Sequence, residues 1–455
     1  MRRIMNLTTK VLIGMVLGLI VGLGINWTDI FLMNGSLMMA DSFINEYIVN
    51  GLFHVVGKMF VNALKMLVVP LVFFSLICGV CGIGDIKLLG RIGTKSFALY
   101  MLTTAIAIAT AIIISASIGI GEGMNAVTES TFTGKDAPAL SEVLIKIIPT
   151  NPIQAMAESE MLSIIFFSIL VGISILLVGK KAKGLVSNVE ILNEVMMKMV
   201  GLVMSLAPYA VFCLLAKAMA NLGVDLLIEL IGYVLVLIGV LLFHLFVTLQ
   251  TVLFVFSRLN PLVFLKKIRN AQIFAFSTSS SNATIPVTLR TVTERMGVNN
   301  SVASFTVPFG ATINMDGTAI MQGVATVFIA NVYNVDLGIA GYLTVILMSV
   351  LASIGTAGVP GVGLIMLSMV FAQVGLPMEG IGLILGVDRL LDMVRTAVNV
   401  SGDAVVSSVV AKSEGKLDTS IFDDPDAGAF DVDETHIDEA TEKELAETVS
   451  AAQDR

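Results

Sequence analysis

The chain has 455 residues, of which 56% are hydrophobic and only 14% charged, and its mean hydropathy is +0.91. Soluble domains carry roughly 25% charged residues, so a deficit running the length of the chain excludes an ordinary water-soluble protein and makes lipid the main solvent. The formal charge of −8 misleads: from Asp418 onward there are 13 acidic and 2 basic residues, a net of −11, which leaves the rest of the chain at +3.

The N-terminus carries Arg2, Arg3 and Lys10 ahead of a long apolar run with no clean small-residue cleavage site, which reads as a first membrane helix and not a removed signal. A spanning helix needs about 20 apolar residues. Six runs meet that need, at about 11–30, 52–82, 96–120, 162–179, 195–220 and 229–256. The stretch from Met124 to Ser163, with Pro138, Pro149 and Pro152, reads as a broken or peripheral element. Basic residues gather on the cytoplasmic side of membrane proteins. Lys87, Arg91 and Lys95 follow the second run, Lys180, Lys181 and Lys183 the fourth, and Arg258, Lys266, Lys267 and Arg269 the sixth. The intervening loops hold Glu122, Glu129 and Asp136, or Asp225 and Glu229. The alternation places the N-terminus inside.

Pro261 to Thr293 breaks this rhythm, because Arg258, Lys266, Lys267 and Arg269 flank one end and Arg290 and Arg295 the other. Both ends then lie on the cytoplasmic side, and the polar middle, FSTSSSNATIP, must enter the membrane and return. Non-helical backbone at that depth is tolerated only where protein or a watery cavity covers it. A seventh span is expected at about 301–331. Gly338 to Val374 is apolar at both ends around SIGTAGVPGVG, whose glycines and Pro360 argue against one continuous helix; it reads as a second hairpin, entering from outside. A last span runs from Ile381 to Val410. The expected fold is an all-α membrane protein of eight transmembrane helices and two oppositely oriented re-entrant hairpins, with inverted repeats. Broken helices in such repeats mark the binding site of secondary transporters.

Three constellations carry chemistry. On the last span, Asp392, Arg395, Thr396, Asn399 and Asp403 fall at offsets 0, 3, 4, 7 and 11, which at 100° per residue places them within about a 100° sector. Charges inside a membrane segment are costly and face a cavity or a partner. An Asp392–Arg395 ion pair one turn apart accounts for part of the stripe but not for its continuation to Asn399 and Asp403. Arg395 can take a carboxylate with two parallel hydrogen bonds, Asp392 can accept from an ammonium, and the peptide N–H groups around Ser279, Ser280 and Ser281 can receive a second carboxylate. In GATINMDGTA, Thr312, Asn314, Asp316 and Thr318 sit mid-span beside Gly310 and Gly317. Unwinding at the glycines would free carbonyl oxygens, and these with carboxylates and hydroxyls are hard ligands suited to Na⁺ and not to transition metals. Elsewhere the sequence is bland. Cys78, Cys81 and Cys213 lie in apolar runs and read as packing. His54, His244 and His436 stand singly, with no metal constellation. No nucleophile–base pair suggests an intramembrane enzyme, and the carboxylates of the stripe argue against a pure anion pore.

SSSNATIP, NMDGTA, SIGTAGVPG and DMVRTAVNVSGD, in that order over about residues 260–415, resemble the dicarboxylate/amino acid:cation symporter family, which includes glutamate and aspartate transporters. The first six spans fit its pattern too. The resemblance implies a homotrimer in the cell (inner) membrane with both termini cytoplasmic. It divides the chain into residues 1–255, mostly trimerisation scaffold with the third span contributing to the transport domain, and a transport domain core at 256–417; the acidic tail at 418–455 lies outside the resemblance and reads as disordered from its charge and its few large apolar residues. Hairpin tips that meet, the second acting as a gate, are implied as well. Substrate would touch Ser279, Ser280 and Ser281 and be lined by Thr318, Val359, Gly363, Asp392, Arg395, Thr396 and Asn399, with Arg395 on the side-chain carboxylate and Asp392 on the α-amino group. Implied cation sites are Gly310, Asn314, Asn399 and Asp403; Thr312, Met315, Ser353, Ile354 and Thr356; and Asn314 and Asp316 with Tyr100, Thr103 and Thr104. The expected activity is Na⁺-coupled uptake of L-aspartate or L-glutamate, with proton coupling, C4-dicarboxylates and neutral amino acids as alternatives. No organic cofactor, enzymatic activity or nucleic-acid partner is expected. Relatives that carry acidic amino acids often have an extra arginine before the serine tip or after the aspartate of the last span. Ser279 and Met393 occupy those places here, and Arg389, on the same helical sector, is the candidate replacement.

Overall fold

The computed structural model describes residues 7–32, 43–81, 89–124, 145, 147–158, 160–354, 356, 358, 360–424 and 427–428. The described residues are almost wholly helical. In chain order the helices are α1 (Leu7–Leu32), α2 (His54–Cys81, preceded by a π-helical segment Ile44–Phe53), α3 (Thr94–Ile118), the short α4 (Pro152–Ala157), α5 (Met161–Val178), α6 (Lys183–Ser205), α7 (Ala207–Phe243) and α8 (Leu249–Ser257). Then come α9 (Pro261–Thr278), α10 (Ser281–Arg290), α11 (Asn300–Ile313), α12 (Asp316–Val332), α13 (Gly338–Ser353), α14 (Val362–Val374), α15 (Gly380–Ser413) and α16 (Thr419–Asp423). Among the described residues, five stretches are long and apolar enough to cross a membrane: Thr9–Trp27, Ile44–Cys78, Arg91–Ile118, Ser163–Ser205 and Leu227–Ser257. The chain is a multi-pass membrane protein.

The described boundaries match the expected ones at the first three runs and differ after the fourth. No loop separates residues 220 and 229; α7 runs unbroken through them. The chain breaks instead at Leu206, just before Pro208, where the proline is tolerated in the first turn of a new helix. Asp225 and Glu229 therefore belong to a helix, and Glu229 accepts a hydrogen bond from the Gly121 N–H at 2.9 Å. Ala220, Leu222, Leu226, Leu227 and Glu229 are good helix residues; two acidic residues are too weak a signal to end the helix. The expected tail boundary at 418 also moves. Asp418 caps α16, Phe422 is fully buried, and the buried Lys267 donates to the Ile421 and Arg295 carbonyls at 2.6 and 2.5 Å. Arg2, Arg3, Lys87, Glu129, Asp136 and the tail beyond 428 lie outside the described residues.

Packing follows the small residues. Gly14, Gly18 and Gly22, four apart, line one face of α1. A Cβ on Gly14 would collide with the Pro208 carbonyl oxygen, and on Gly18 or Gly22 would sit 2.7 or 2.6 Å from the Phe212 or Ala216 carbonyl oxygen. Such stripes let membrane helices approach closely. In the same way Gly323 of α12 packs on Ile108 and Ala111 of α3. This seats α3, from the first half of the chain, against the polar core of the second.

Candidate functional site

Three interruptions of helix build the site. Between α9 and α10, Ser279 adopts a left-handed conformation (φ 50°), uncommon for a residue with a Cβ. Its N–H closes α9 on the Ala275 carbonyl at 2.8 Å. Ser280 caps α10, its Oγ accepting from the Ala283 N–H at 3.2 Å. The second interruption lies between α13 and α14. The two meet, since Ser280 Oγ donates to the Gly358 carbonyl at 2.7 Å and the Asn282 N–H donates to the same oxygen at 3.1 Å. The third is Asn314 and Met315, with ψ of 98° and 48°, between α11 and α12. The expected unwinding thus occurs at Asn314 and Met315 and not at the glycines, which stay helical because their work is steric. A Cβ on Gly310 would collide with Asp403 Oδ1 and sit 2.6 Å from the Tyr100 hydroxyl; one on Gly317 would sit 2.6 Å from the Arg395 carbonyl oxygen.

Around these breaks two polar clusters form on α15. In the first, Arg395 is fully buried. Its Nη2 donates to Asp392 Oδ1 at 2.8 Å and its Nη1 lies 2.9 Å from Asp388 Oδ1. The Asp388 contact is an ion pair without hydrogen-bond alignment, so Nε and Nη1 are left without a hydrogen-bond partner. Gly363 brings α14 to this guanidinium; a Cβ there would stand 3.4 Å from Nη1 and 3.4 Å from Thr318 Cγ2. Thr396 Oγ1 donates to the Asp392 carbonyl at 2.7 Å. Arg389 Nη1 lies 3.5 Å from Asp392 Oδ2. A small cavity opens beside this cluster, lined in part by Pro360, Gly361, Asp388, Arg389 and Asp392.

The second cluster lies two turns along. Asn314 Nδ2 donates to Asp403 Oδ1 at 2.9 Å and to the Asn399 carbonyl at 3.2 Å, while Asn399 Oδ1 accepts from the Gly317 N–H at 2.7 Å. Asn399 Nδ2 reaches Met315 Sδ at 3.4 Å. Thr104 and Thr103 donate to Asp316 Oδ1 at 2.6 and 3.3 Å, and Tyr100 donates to the Thr306 carbonyl at 2.9 Å. Asn314 Oδ1 is buried with no partner. Buried acceptors without partners are rare and call for an explanation; an oxygen-ligated cation supplies one. Among the described residues no group of three or more His, Cys, Asp or Glu side chains could hold a metal ion. The oxygens here are amide, hydroxyl, carbonyl and isolated carboxylate, the donor set for a hard cation.

The structure thus brings together Gly363, Thr318, Asp392 and Arg395, with Thr396 beside them but bonded only to its own helix, and separately Tyr100, Thr103, Thr104, Gly310, Asn314, Met315, Asp316, Asn399 and Asp403. It also joins the Ser280 tip to Gly358. It does not draw Thr312, Ser353 and Thr356 together by hydrogen bonds; their hydroxyls donate to carbonyls of their own segments, Phe309, Val350 and Ala352. The Ile354 N–H likewise bonds the Leu351 carbonyl, and Val359 lies outside the described residues. Two residues were missed. Asp388 lies seven residues before Arg395, on the same face of a helix, so the stripe's own periodicity contained it. His244 stands 3.1 Å from Asp316 Oδ2, a contact across 72 residues that no local pattern signals.

A family model described as the sodium:dicarboxylate symporter family matches residues 7–413. The chain belongs to this family. It is a symporter and not an enzyme. It is 34% identical over 428 residues to the proton/glutamate-aspartate symporter of Escherichia coli (strain K12), covering 91% of this chain and 94% of that one. Identity to the proton/sodium-glutamate symport protein of Geobacillus stearothermophilus is 31% over 425 residues, 91% and 96% of the two chains. The C4-dicarboxylate transport protein of Bacillus subtilis (strain 168) is 31% identical over 428 residues, 92% and 96%. The residues of both clusters lie within the matched range.

Proposed function

We propose that this symporter carries L-aspartate or L-glutamate into the cell together with Na⁺. The observation that carries the reading is Arg395: a fully buried guanidinium that pairs with Asp388 and Asp392 and whose Nε has no partner. A buried cation of this kind recognises a carboxylate through two parallel hydrogen bonds. Asp392, already close to Arg395, accepts the α-ammonium of an amino acid. The N-terminal turn of α10 at Ser280 and Ser281 presents peptide N–H groups and the positive end of a helix dipole to the second carboxylate. Thr318, Gly363, Thr396 and Asn399 line the same space, and Val359, which lies outside the described residues, is assigned to it. Arg389, reaching Asp392, takes the place of the absent companion arginine.

The coupled cations occupy Gly310, Asn314, Asn399 and Asp403, then Thr312, Met315, Ser353, Ile354 and Thr356, and then Asn314 and Asp316 with Tyr100, Thr103 and Thr104. Asn399 couples substrate and ion, because its side chain meets Gly317 and Met315 while Arg395 lies one turn earlier on the same helix. Transport proceeds by alternating access: residues 256–417 move as a body against the scaffold of residues 1–255, and the α13–α14 tip closes over substrate. In this reading α9–α10 and α13–α14 are re-entrant hairpins of opposite orientation beside eight spans, with the termini cytoplasmic and three copies in the cell membrane.

A C4-dicarboxylate substrate is the second reading, favoured by one relative's name, and Asp392 disfavours it because it would face a substrate with no amine. Proton coupling is the rival for the ion. Radiolabelled aspartate uptake into proteoliposomes, with a Na⁺ gradient or a pH gradient imposed alone, decides the driving ion. Accumulation with the Na⁺ gradient is expected. Equal accumulation driven by pH alone, without Na⁺, overturns the Na⁺ assignment, and succinate outcompeting aspartate overturns the amino acid.

A further inference from the structure

Asp316 opens α12 and is fully buried. Thr103 and Thr104 of α3 donate to its Oδ1, while His244 Nε2 meets its Oδ2 at 3.1 Å. His244 is itself fully buried. It is the first residue of the π-helical turn His244–Thr248 that joins α7 to α8. Such turns are rare, recur at functional sites, and shift the face a side chain presents relative to a regular helix. Asp316 already serves as an acceptor for the Thr103 and Thr104 hydroxyls, and the His244 tautomer that matches that role carries its hydrogen on Nε2 and donates to Oδ2. The other ring nitrogen, Nδ1, is buried and has no partner. An apolar side chain would fill the space without leaving a ring nitrogen unsatisfied, so packing does not explain the imidazole. The contact with Asp316 does.

Resting on the reading of Asp316 as a cation ligand, we propose that His244 is a positioning residue for that site. Its N–H fixes the carboxylate from the Oδ2 side, as the threonine hydroxyls do from the Oδ1 side, so the remaining lone pairs face a cation in one orientation. Groups that orient ligands in this way tune affinity without touching the ion. His244 donates through an N–H dipole and adds no side-chain ammonium or guanidinium to repel the cation, as Lys or Arg would. Through the joined rod of α7 and α8, it also ties the ion site to helices outside the broken-helix core.

The test is a Na⁺ titration of L-aspartate binding to the purified full-length carrier by calorimetry. His244→Leu, or the bulkier His244→Phe, is expected to raise the Na⁺ concentration for half-saturation by roughly tenfold or more, the usual cost of losing such a partner, while aspartate affinity at saturating Na⁺ stays within about twofold of wild type. His244→Gln, which keeps an N–H donor, recovers most of the loss. Wild-type Na⁺ dependence in both apolar variants overturns the proposal. So does a parallel loss of aspartate affinity at saturating Na⁺ that His244→Gln does not rescue, because that marks a general structural role. Asp316→Asn tests the underlying site alone: if it leaves Na⁺ dependence unchanged, the cation-site reading falls without His244 having been altered.

Discussion

The outer helices and the broken-helix core solve opposite problems with similar apolar residues. On the outside, Ile20, Leu177, Leu202 and Leu235 are 61%, 71%, 70% and 65% exposed. A soluble protein rarely leaves so many large apolar side chains uncovered; a membrane covers them. In the core, 16 of the 17 residues of α12 and 26 of the 34 of α15 are buried, and the buried set includes Asp316, Asp388, Asp392, Arg395 and Asp403. Lipid tolerates apolar helices and penalises exposed charge. The chain therefore uses protein to keep lipid away from the few residues that do chemistry. Replacing one residue outside should change little, while the same change inside should disable the carrier.

The largest departure is expected at Arg395. Arg395→Cys leaves Asp388 and Asp392 buried without their shared countercharge, a loss of about 3–5 kcal/mol for breaking a buried pair. Acidic amino acid uptake in proteoliposomes should fall to background even at high substrate. Retained aspartate affinity in a folded variant would show that Arg395 serves only as the countercharge of the two aspartates.

A pair of glycine substitutions sharpens the comparison further. Gly310→Ala places a methyl group against Asp403 and Tyr100, so overpacking should cost about 1–3 kcal/mol of stability and weaken Na⁺ binding. Gly239→Ala, on α7 with nothing within 4 Å of its added Cβ, should gain about 0.5–1 kcal/mol through helix propensity and leave uptake intact. Thermal unfolding of both variants in detergent is the readout. If Gly310→Ala is as harmless as Gly239→Ala, the close packing around Asp403 does not shape the site.

Much of the core could be read from the sequence, because its signals are local. The serines at 279–281, the break after Ser353 and the stripe from Asp392 to Asp403 each declare themselves within a dozen residues. A helix of fixed pitch turns spacing directly into a shared face. Asp388 was available to the same arithmetic. The unwinding at Asn314 was misplaced to the glycines because glycine lowers helix propensity. Here, though, Gly310 and Gly317 are needed for closeness, and Asn314 and Met315 leave the helix. His244 could not be found this way. Its partner lies on another helix, and only packing of α3, α7 and α12 brings them together. The continuous α7 was missed for a related reason: two acidic residues read as a loop when only charge is counted.

The smallest effect is expected at the far end of α15, where the core ends. Glu414 follows α15 directly. Its side chain is 5% exposed, pairing with Lys95 Nζ at 2.5 Å and Arg91 Nη2 at 3.0 Å. The hydrogen bond from Lys95, reinforced by the Arg91 charge, holds its carboxyl below the ordinary value of 4.5. A depressed carboxylate binds protons more readily in the unfolded chain. Its contribution to stability is therefore complete above 4.5 and lost as the pH falls through the lowered value. Lys95 is 40% and Arg91 80% exposed, so water and salt screen the pair and the effect is small. Melting temperatures of wild type and Glu414→Gln should differ modestly at neutral pH and converge in acid. A gap of constant size across that range would mean that the contact between α3 and the end of α15 is held by packing, and that the core's boundary owes nothing to this charge.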